Sequence, residues 1–472
     1  MTGVGGTDQP GPPRLPDAVD AADPADRPPV RRRTVLAWAL WDWASAAQNA
    51  VITTFVFGPY IVRGVVGDAR PGGLTGNTWM GISTAVAGVF IALIAPISGK
   101  RADAGGHRRR NLGIWSLLVL VAMIGLFWVR DEPAYLWLGL ALMAAGNVFA
   151  EFAAVSYNSM LPQVSTPATM GRTSGFGWAM GYFGGIFLLL ICYLGFISPD
   201  VGWFGVGDEG GLRYRAIALA AAVWFGVFAL PVLFAVPESR AAPGVRTGRG
   251  VIDAYRQLAA DIVRLFRADR HAVYFLLASA LYRDGLAAVF SFGAILAVSV
   301  YGMAPGTVLI FGVVANISAA LGAVVMGRIE DRIGPKRVVL ISLGGLVLMA
   351  LTLLVVALVK PPNITTLFWI FALIMVLWVG PAQASSRSYL AQLAPREREG
   401  ELFGLYATTG RAASFLAPSL FAVFSGLFGD RIGIVGIIIV LVGGAVALLP
   451  VRPPATPGRP SRAAGGGERI VP

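Results

Sequence analysis

From Thr34 onward the chain is a succession of long apolar runs separated by short polar segments. A helix that crosses a bilayer needs about 20 mostly apolar residues, and twelve runs meet that length. In the first half they span 34–62, 77–98, 111–129, 134–160, 173–197 and 214–236. In the second half they span 272–300, 305–326, 338–359, 365–391, 401–427 and 432–451. The flanking segments, 1–33 and 452–472, are rich in Pro, Gly and Arg and lack any apolar stretch, so both are expected to be disordered tails. The first contains no secretory signal. The longest internal connection, 237–271, divides the runs into two six-helix bundles, 34–236 and 272–451. Within it Val251, Tyr255, Leu258, Ile262 and Leu265 recur at helical spacing, with Arg256, Arg264, Arg267 and Arg270 between and beyond them. This predicts an amphipathic helix. It either lies on the inner leaflet with its arginines on anionic headgroups or packs on the bundle as a linker.

Composition sharpens the class. Hydrophobic residues make up 56% of the chain and charged residues 14%, against about 25% charged in an ordinary soluble domain. Such a chain cannot cover a water-facing surface. The net charge of +12 raises nucleic acid as a partner, but the placement of the charges gives another reason for it. With the N-terminus in the cytoplasm, the inner segments carry 28 Lys and Arg and the outer ones 7, counting Arg215 with the outer loop before it. This is the positive-inside bias of a multi-pass protein of the plasma (inner) membrane with both termini cytoplasmic. No nucleic-acid partner is expected. Lysine occurs only at 100, 336 and 360 against 35 arginines, which reads as codon bias. The single Cys192 excludes a disulfide framework, and His107 and His271 sit in basic loops, so neither a metal site nor a cofactor is expected.

The two halves share a repeated segment. GKRADAGGHRRR (99–110) follows the second run and GRIEDRIGPKR (327–337) follows the eighth. Each reads glycine, three residues, aspartate, a glycine-containing turn and a basic cluster, so the chain is a duplicated six-span unit. The segment resembles the signature loop of the major facilitator superfamily. The match rests on Gly327, Asp331, Arg332, Gly334, Lys336 and Arg337 in the second copy, and on Gly99, Asp103 and Arg108 in the first. The first copy departs from the pattern, with Ala104 in place of a basic residue and an added Gly106. The resemblance implies an all-α integral membrane protein with twelve transmembrane helices in two six-helix halves, the major facilitator fold. It also implies that these loops latch the cytoplasmic side, the aspartate holding a neighbouring helix N-terminus or arginine and releasing it on rocking. The bland account of Arg108 to Arg110 is that they only set topology.

Finer strings, WDWASAAQNAVITTF (41–55), VSYNSMLP (155–162), SGFGWAMGYFGG (174–185), LYRDG (281–285), SSRSYLAQLAP (385–395) and FGLYATTGRAASFLAP (403–418), resemble the branch of the autophagy-associated fungal vacuolar amino-acid effluxer and its bacterial relatives. Trp41 and Ser45 stand where that branch has Tyr and Asn. The branch implies export of small solutes, amino acids foremost. Gly177, Gly181 and Gly185 form a small-residue ladder similar to a fifth-helix motif of superfamily exporters, with Tyr182 in place of its proline; plain helix packing explains it equally.

Ionised groups inside the spans cost on the order of 3 kcal/mol each at mid-helix. Asp42, Glu151, Arg283, Asp284, Arg387 and Arg411 therefore need a reason. In the superfamily, spans 1, 4, 7 and 10 line the cavity, which takes in all of these but Arg411. Asp42, Ser45, Asn49 and Thr53 share one helical face; Asn147, Glu151 and Asn158 share another; Gln383 and Arg387 share a third. Arg283, Asp284 and Arg411 fall nearest the midplane, and Arg387 close enough to the inner end to snorkel. Two readings stay open: these residues form a substrate or ion pathway, or the three acids and three bases neutralise one another. The expected partners are a small-molecule substrate, the bilayer and, as a coupling ion, the proton.

GVGDEG (205–210) matches a dinucleotide-binding string but lacks the strand and helix that make a phosphate cradle, and no GxxxxGK[ST], GxSxG or HExxH occurs. An enzyme is not expected. The expected function is secondary transport by alternating access, exporting or exchanging amino acids or similar zwitterions. A lipid or glycolipid flippase on the same fold is the alternative, and a non-transporting membrane sensor the third option.

Overall fold

The structure is a computed structural model that describes residues 30–238, 251–268, 270–394 and 398–452; the predicted tails fall almost wholly outside these ranges. Among the described residues, twelve helices are long and apolar enough to cross a membrane. The first six are Arg32–Val66, Gly76–Gly105, Arg108–Trp128, Pro133–Ser159, Met170–Ile197 and Glu209–Ala235. The second six are Arg270–Ser299, Ile310–Ile333, Pro335–Val359, Ile364–Leu393, Glu399–Phe428 and Asp430–Leu448. They are spans 1 to 12 below. Large apolar side chains cover the outside: Val223, Val227, Leu230 and Phe234 make an exposed stripe down span 6. Only a hydrocarbon surround makes such a surface stable.

The duplication is visible in the packing. Span 1 packs on 5 and 6, span 2 on 4, and span 3 on 4 and 6; span 7 packs on 11 and 12, span 8 on 10, and span 9 on 10 and 12. Every pair in one half recurs six spans later. The halves meet through span 5 against 8, span 2 against 11, span 5 against 10 and span 4 against 11, which is again a two-fold related set.

Several spans depart from straight α-helix, for identifiable reasons. Span 1 widens to π-helix over Ala47–Phe55. Span 10 breaks at Trp378, where Pro381 has no N–H for the Leu377 carbonyl. Span 11 breaks at Ser414 and Phe415, four and three residues before Pro418. Pro96 in span 2 frees the Ala92 carbonyl, which accepts a 2.9 Å hydrogen bond from Thr408 Oγ1 of span 11. The helix 251–268 packs against spans 2 and 7, with Ile262 and Leu265 half-buried on the bundle, while Arg256, Val263 and Phe266 stay exposed. Bundle packing thus accounts for part of its apolar face; the side chains of Val251, Tyr255 and Leu258 lie outside the described set.

Spans 2 and 8 run through the repeated segments rather than ending before them. Gly99 to Gly105 and Gly327 to Ile333 are helical. The apolar run marks the hydrocarbon crossing, whereas the helix stops where backbone sterics require it. Gly106, at φ 64°, closes the first with its own N–H and that of His107 returned to Asp103 and Ala102. Gly334, at φ 87°, ends the second. Both aspartates therefore sit in a last helical turn at what we call the basic face.

Candidate functional site

At the basic face the two aspartates do related work across the halves. Asp103 accepts from the backbone N–H groups of Gly400 (3.1 Å) and Glu401 (2.7 Å), the open first turn of span 11. Asp331 accepts from those of Gly171 (2.9 Å) and Arg172 (3.3 Å), the first turn of span 5. A carboxylate at a helix N-terminus meets both unpaired donors and the positive end of the dipole. The glycines of the motif allow the approach: Gly99 lies against the backbone of Gly400, and a Cβ on Gly327 would sit 2.8 Å from the Gly171 carbonyl.

The two copies differ in their cations. Arg108 donates to Asp103 Oδ1 through Nε (2.9 Å) and Nη2 (2.7 Å), to Glu399 Oε2 (2.6 Å) and to the Ser159 carbonyl (3.2 Å). It is 3% exposed. Arg172, which faces Asp331 at 3.6 Å, is 59% exposed. Arg332 and Arg337 are exposed and make no hydrogen bond or ion pair to a described residue. Lys336 Nζ donates to the carbonyls of Leu449 and Val451, both at 2.7 Å, at the end of span 12. The structure thus puts these three basic residues of the second motif outside the inter-half contact: Arg332 faces outward from the last turn of span 8, and the chain turns at Gly334 and carries Lys336 and Arg337 into span 9. Arg108, by contrast, is more than a topology charge.

Deeper lies a polar knot around Arg387 of span 10. Its Nε and Nη2 donate to Ser174 Oγ (2.9 Å) and the Ser174 carbonyl (2.6 Å), and its Nη1 to Asp42 Oδ2 (3.0 Å) and Asn158 Oδ1 (3.2 Å). The Tyr157 hydroxyl donates to the same Asp42 oxygen at 2.9 Å. The guanidinium carbon stands 4.9 Å from the Trp38 ring centre. Arg387 is 4% exposed, so it does not snorkel: spans 1, 4 and 5 cover it from the other half. Gly177 leaves room for this knot, since a Cβ there would stand 2.8–2.9 Å from Arg387, Trp38 and Asp42. Gly181 and Gly185 face Asp42, Ala46 and Ala50, so the whole ladder seats span 5 on span 1.

Among the six charges within the spans, Glu151 and Arg411 make a second ion pair across the halves, at 3.1 Å and both partly exposed. The remaining two charges do not pair with each other. Asp284 is buried and accepts from the backbone N–H of Ala417 at 2.6 Å, capping the second half of the broken span 11. Arg283 donates to the Tyr406 carbonyl (2.9 Å), with its guanidinium carbon 3.8 Å from the centre of that ring. No carboxylate of a described residue pairs with Arg283. Mutual neutralisation therefore holds for two of the three expected pairs.

The expected stripe down span 1 is interrupted. In the π-helix the register is five rather than four, so Thr53 Oγ1 bonds the Gln48 carbonyl (3.0 Å) and Thr54 Oγ1 the Asn49 carbonyl (2.7 Å). Thr53 turns to Asn147 Oδ1 (3.0 Å), which also takes Gln48 Nε2 (3.1 Å), while Asn49 is exposed. Gln383 is half-buried one turn before Arg387 and makes no hydrogen bond to a described residue.

A family model described as "Vacuole effluxer Atg22 like" matches residues 165–453, more than half of the chain. The chain belongs to this family. An uncharacterised MFS-type transporter of Bacillus subtilis, YxiO, is 27% identical over 87% of this chain and 93% of its own length. Autophagy-related protein 22-1 of Neosartorya fischeri is 23% identical over 55% of this chain, and the match spans 44% of the fungal protein. Among solved structures, the proton:xylose symporter XylE gives a TM-score of 0.68 at 16% identity, covering 88% of this chain and 94% of that one. The human organic anion transporter MFSD10 gives 0.68 at 15% identity, covering 89% and 100%. The fold is that of the major facilitator superfamily, and the protein is a membrane transporter of the Atg22 type.

Sequence reasoning passed over several residues that this family member brings to the site. Ser174, Tyr157 and Trp38 complete the Arg387 knot, and Glu399 shares Arg108. Glu330, buried beside Asp331, accepts from Ser385 Oγ (2.5 Å) and Ser388 Oγ. An acid adjacent to the motif aspartate was the available signal.

Proposed function

We propose that the chain exports amino acids or similarly small zwitterions by alternating access, from a cytoplasm that the basic face borders, across the plasma membrane. The observation that carries the reading is Arg283, a half-buried cation without a carboxylate partner among the described residues. It shares the Tyr406 neighbourhood with Glu151, whose own partner Arg411 comes from the other half. A zwitterion fits this charge pattern. Its carboxylate gives Arg283 the missing counter-ion, and its ammonium competes with Arg411 for Glu151. Occupying the site then loosens one cross-half ion pair, and this couples binding to rocking. The hydrogen bonds and ion pairs between the halves described above run from the basic face to about Thr408 and Arg411. Beyond them Leu416–Phe428 packs on spans 12 and 7 of its own half. The state is closed at the basic face.

The test is efflux of a labelled amino-acid mixture from proteoliposomes, with and without a proton gradient, for wild type, Arg283→Gln and Glu151→Gln. Saturable efflux lost in Arg283→Gln, with the protein still folded, is the expected result. Wild-type efflux in both variants would remove these charges from the substrate path. No efflux above empty liposomes would overturn the amino-acid reading, and flipping of a fluorescent lipid in the same vesicles would then identify a lipid substrate.

A further inference from the structure

Two acids stand side by side at the basic end of span 8, and only one of them has a cation. Asp331 takes the span 5 N-terminus and Arg172. Glu330 is 2% exposed, and its neighbours are hydroxyls. From span 10 come Ser385 and Ser388. Span 5 presents Gly171, whose missing Cβ would lie 2.7 Å from the Glu330 side chain. The charged groups around it are spoken for: Arg172 faces Asp331, Arg387 is bound to Asp42, and Arg328 on the same helix bonds the Val324 carbonyl.

The partners of this carboxyl suit its neutral form. Ser385 Oγ lies 2.5 Å from Glu330 Oε2 and gives it a proton. Ser388 Oγ lies within hydrogen-bond distance of both Glu330 Oε1 and the Ser385 carbonyl, the latter at 3.1 Å. Ionised, the carboxylate would be a buried charge between neutral hydroxyls, with no cation paired to it among the described residues. A proton on Oε1 removes that charge. Glu330 then donates to Ser388 Oγ, Ser388 donates to the Ser385 carbonyl, and Ser385 donates to Oε2, so every donor and acceptor is used.

We propose that Glu330 is a proton-binding site of the gate: its neutral carboxyl locks span 8 to span 10 beside span 5 while the basic face is closed, and it releases its proton to that side when the halves part there. The inference rests on the alternating-access reading but needs no particular substrate. Its linkage sign is fixed. The closed state binds one proton that the open, hydrated state does not, so acid favours closure and alkali favours opening.

The experiment places spin labels at Ala168→Cys and Arg452→Cys, exposed sites on opposite halves at the basic face, in a Cys192→Ser background. Distance distributions are recorded in nanodiscs across pH, without substrate or gradient. For wild type the ratio of long-distance to short-distance populations should rise about tenfold per pH unit through the transition. Glu330→Gln, whose amide keeps the donor and acceptor of the neutral acid, should hold the short distance at every pH. Glu330→Asp should restore a pH dependence with a displaced midpoint. A wild-type ratio flat in pH, or an unchanged slope in Glu330→Gln, would overturn the assignment. A flat titration beside intact amino-acid efflux would sink the proton site alone, whereas a normal titration with no efflux would leave the site standing and sink the substrate reading.

Discussion

Asp42→Asn is the most informative single change, because the Asp42–Arg387 pair is buried, crosses the halves and belongs to the closed basic face. The variant retains an acceptor for the Tyr157 hydroxyl but removes the charge opposite Arg387. That guanidinium is 4% exposed, and its other partners are neutral: Ser174 Oγ, the Ser174 carbonyl, Asn158 Oδ1 and the Trp38 ring. Breaking a buried pair by removing one member costs about 3–5 kcal/mol, chiefly through the charge left behind. Asp42 is itself 17% exposed, which places the cost near the lower end, about 3 kcal/mol. At roughly 1.4 kcal/mol per factor of ten, the closed state loses on the order of 100-fold against states in which Arg387 reaches water. Hydrogen exchange can read this directly. The amides of Gly171, Arg172, Gly400 and Glu401 are first-turn donors whose partners are the carboxylates of the other half. Their protection therefore reports closure. Exchange in peptides covering 168–175 and 398–404 should accelerate by about that factor, and Asp42→Asn/Arg387→Gln should recover much of it because no unpaired charge remains. Wild-type exchange rates at these amides in Asp42→Asn would refute the reasoning.

The two motif aspartates should be unequal: Asp103→Ala orphans the buried Arg108 and should cost several kcal/mol, whereas Asp331→Ala loses a helix cap worth about 1 kcal/mol and an exposed pair worth little; thermal unfolding in detergent separates them. Gly177→Ala should lower the melting temperature, by overpacking worth about 1–3 kcal/mol, while Gly293→Ala, where an added Cβ meets nothing within 4 Å, should be neutral or mildly stabilising. Thr408→Val should weaken closure by about 1 kcal/mol by leaving the Ala92 carbonyl without its donor, seen as faster exchange of 398–404 with an unchanged melting curve.

The twelve spans and their duplication were legible in the sequence because the bilayer imposes a length and a polarity that no local propensity overrides. The charged positions were legible for the same reason, since each costs too much to be incidental. Their partners were not. Arg387 looked able to snorkel because distance from a span end says nothing of what covers it, and spans 1, 4 and 5 of the other half cover it. Asn49 and Thr53 separated because a π-helix carries no signature in a hydrophobic pattern, and one extra residue per turn rotates everything after it. The partner of Asp284 was hidden because it caps a helix start that only the break before Pro418 creates. Glu330 was hidden inside a motif whose neighbouring aspartate drew the attention.

The first copy of the repeated segment shows how a departure from pattern can be a relocation of chemistry. Ala104 removes the basic residue that would follow Asp103, while Gly106 stands three residues after its aspartate, as Gly334 does after Asp331. Because Gly106 adopts φ 64° at no steric cost, span 2 ends in a closed cap and the chain reverses at once into span 3. That reversal swings Arg108 back onto Asp103, five residues upstream, and far enough inward to reach Glu399 of the other half. The cation lost at one position is recovered at another, in a more buried place. The second copy keeps the basic residue after its aspartate, yet Arg332 points outward, and the buried contact there is Glu330 with two serines. The two sides of the gate thus close by different chemistry on the same scaffold. One side is a desolvated ion triad, whose strength depends on charge and falls as the site is hydrated. The other is a helix cap, Asp331 on span 5, beside a hydrogen-bonded ring that ties Glu330 to span 10 within one half and lies under Gly171 of the other. A gate so built responds to protonation on one side while the other side holds its register, which a pair of identical salt bridges could not do.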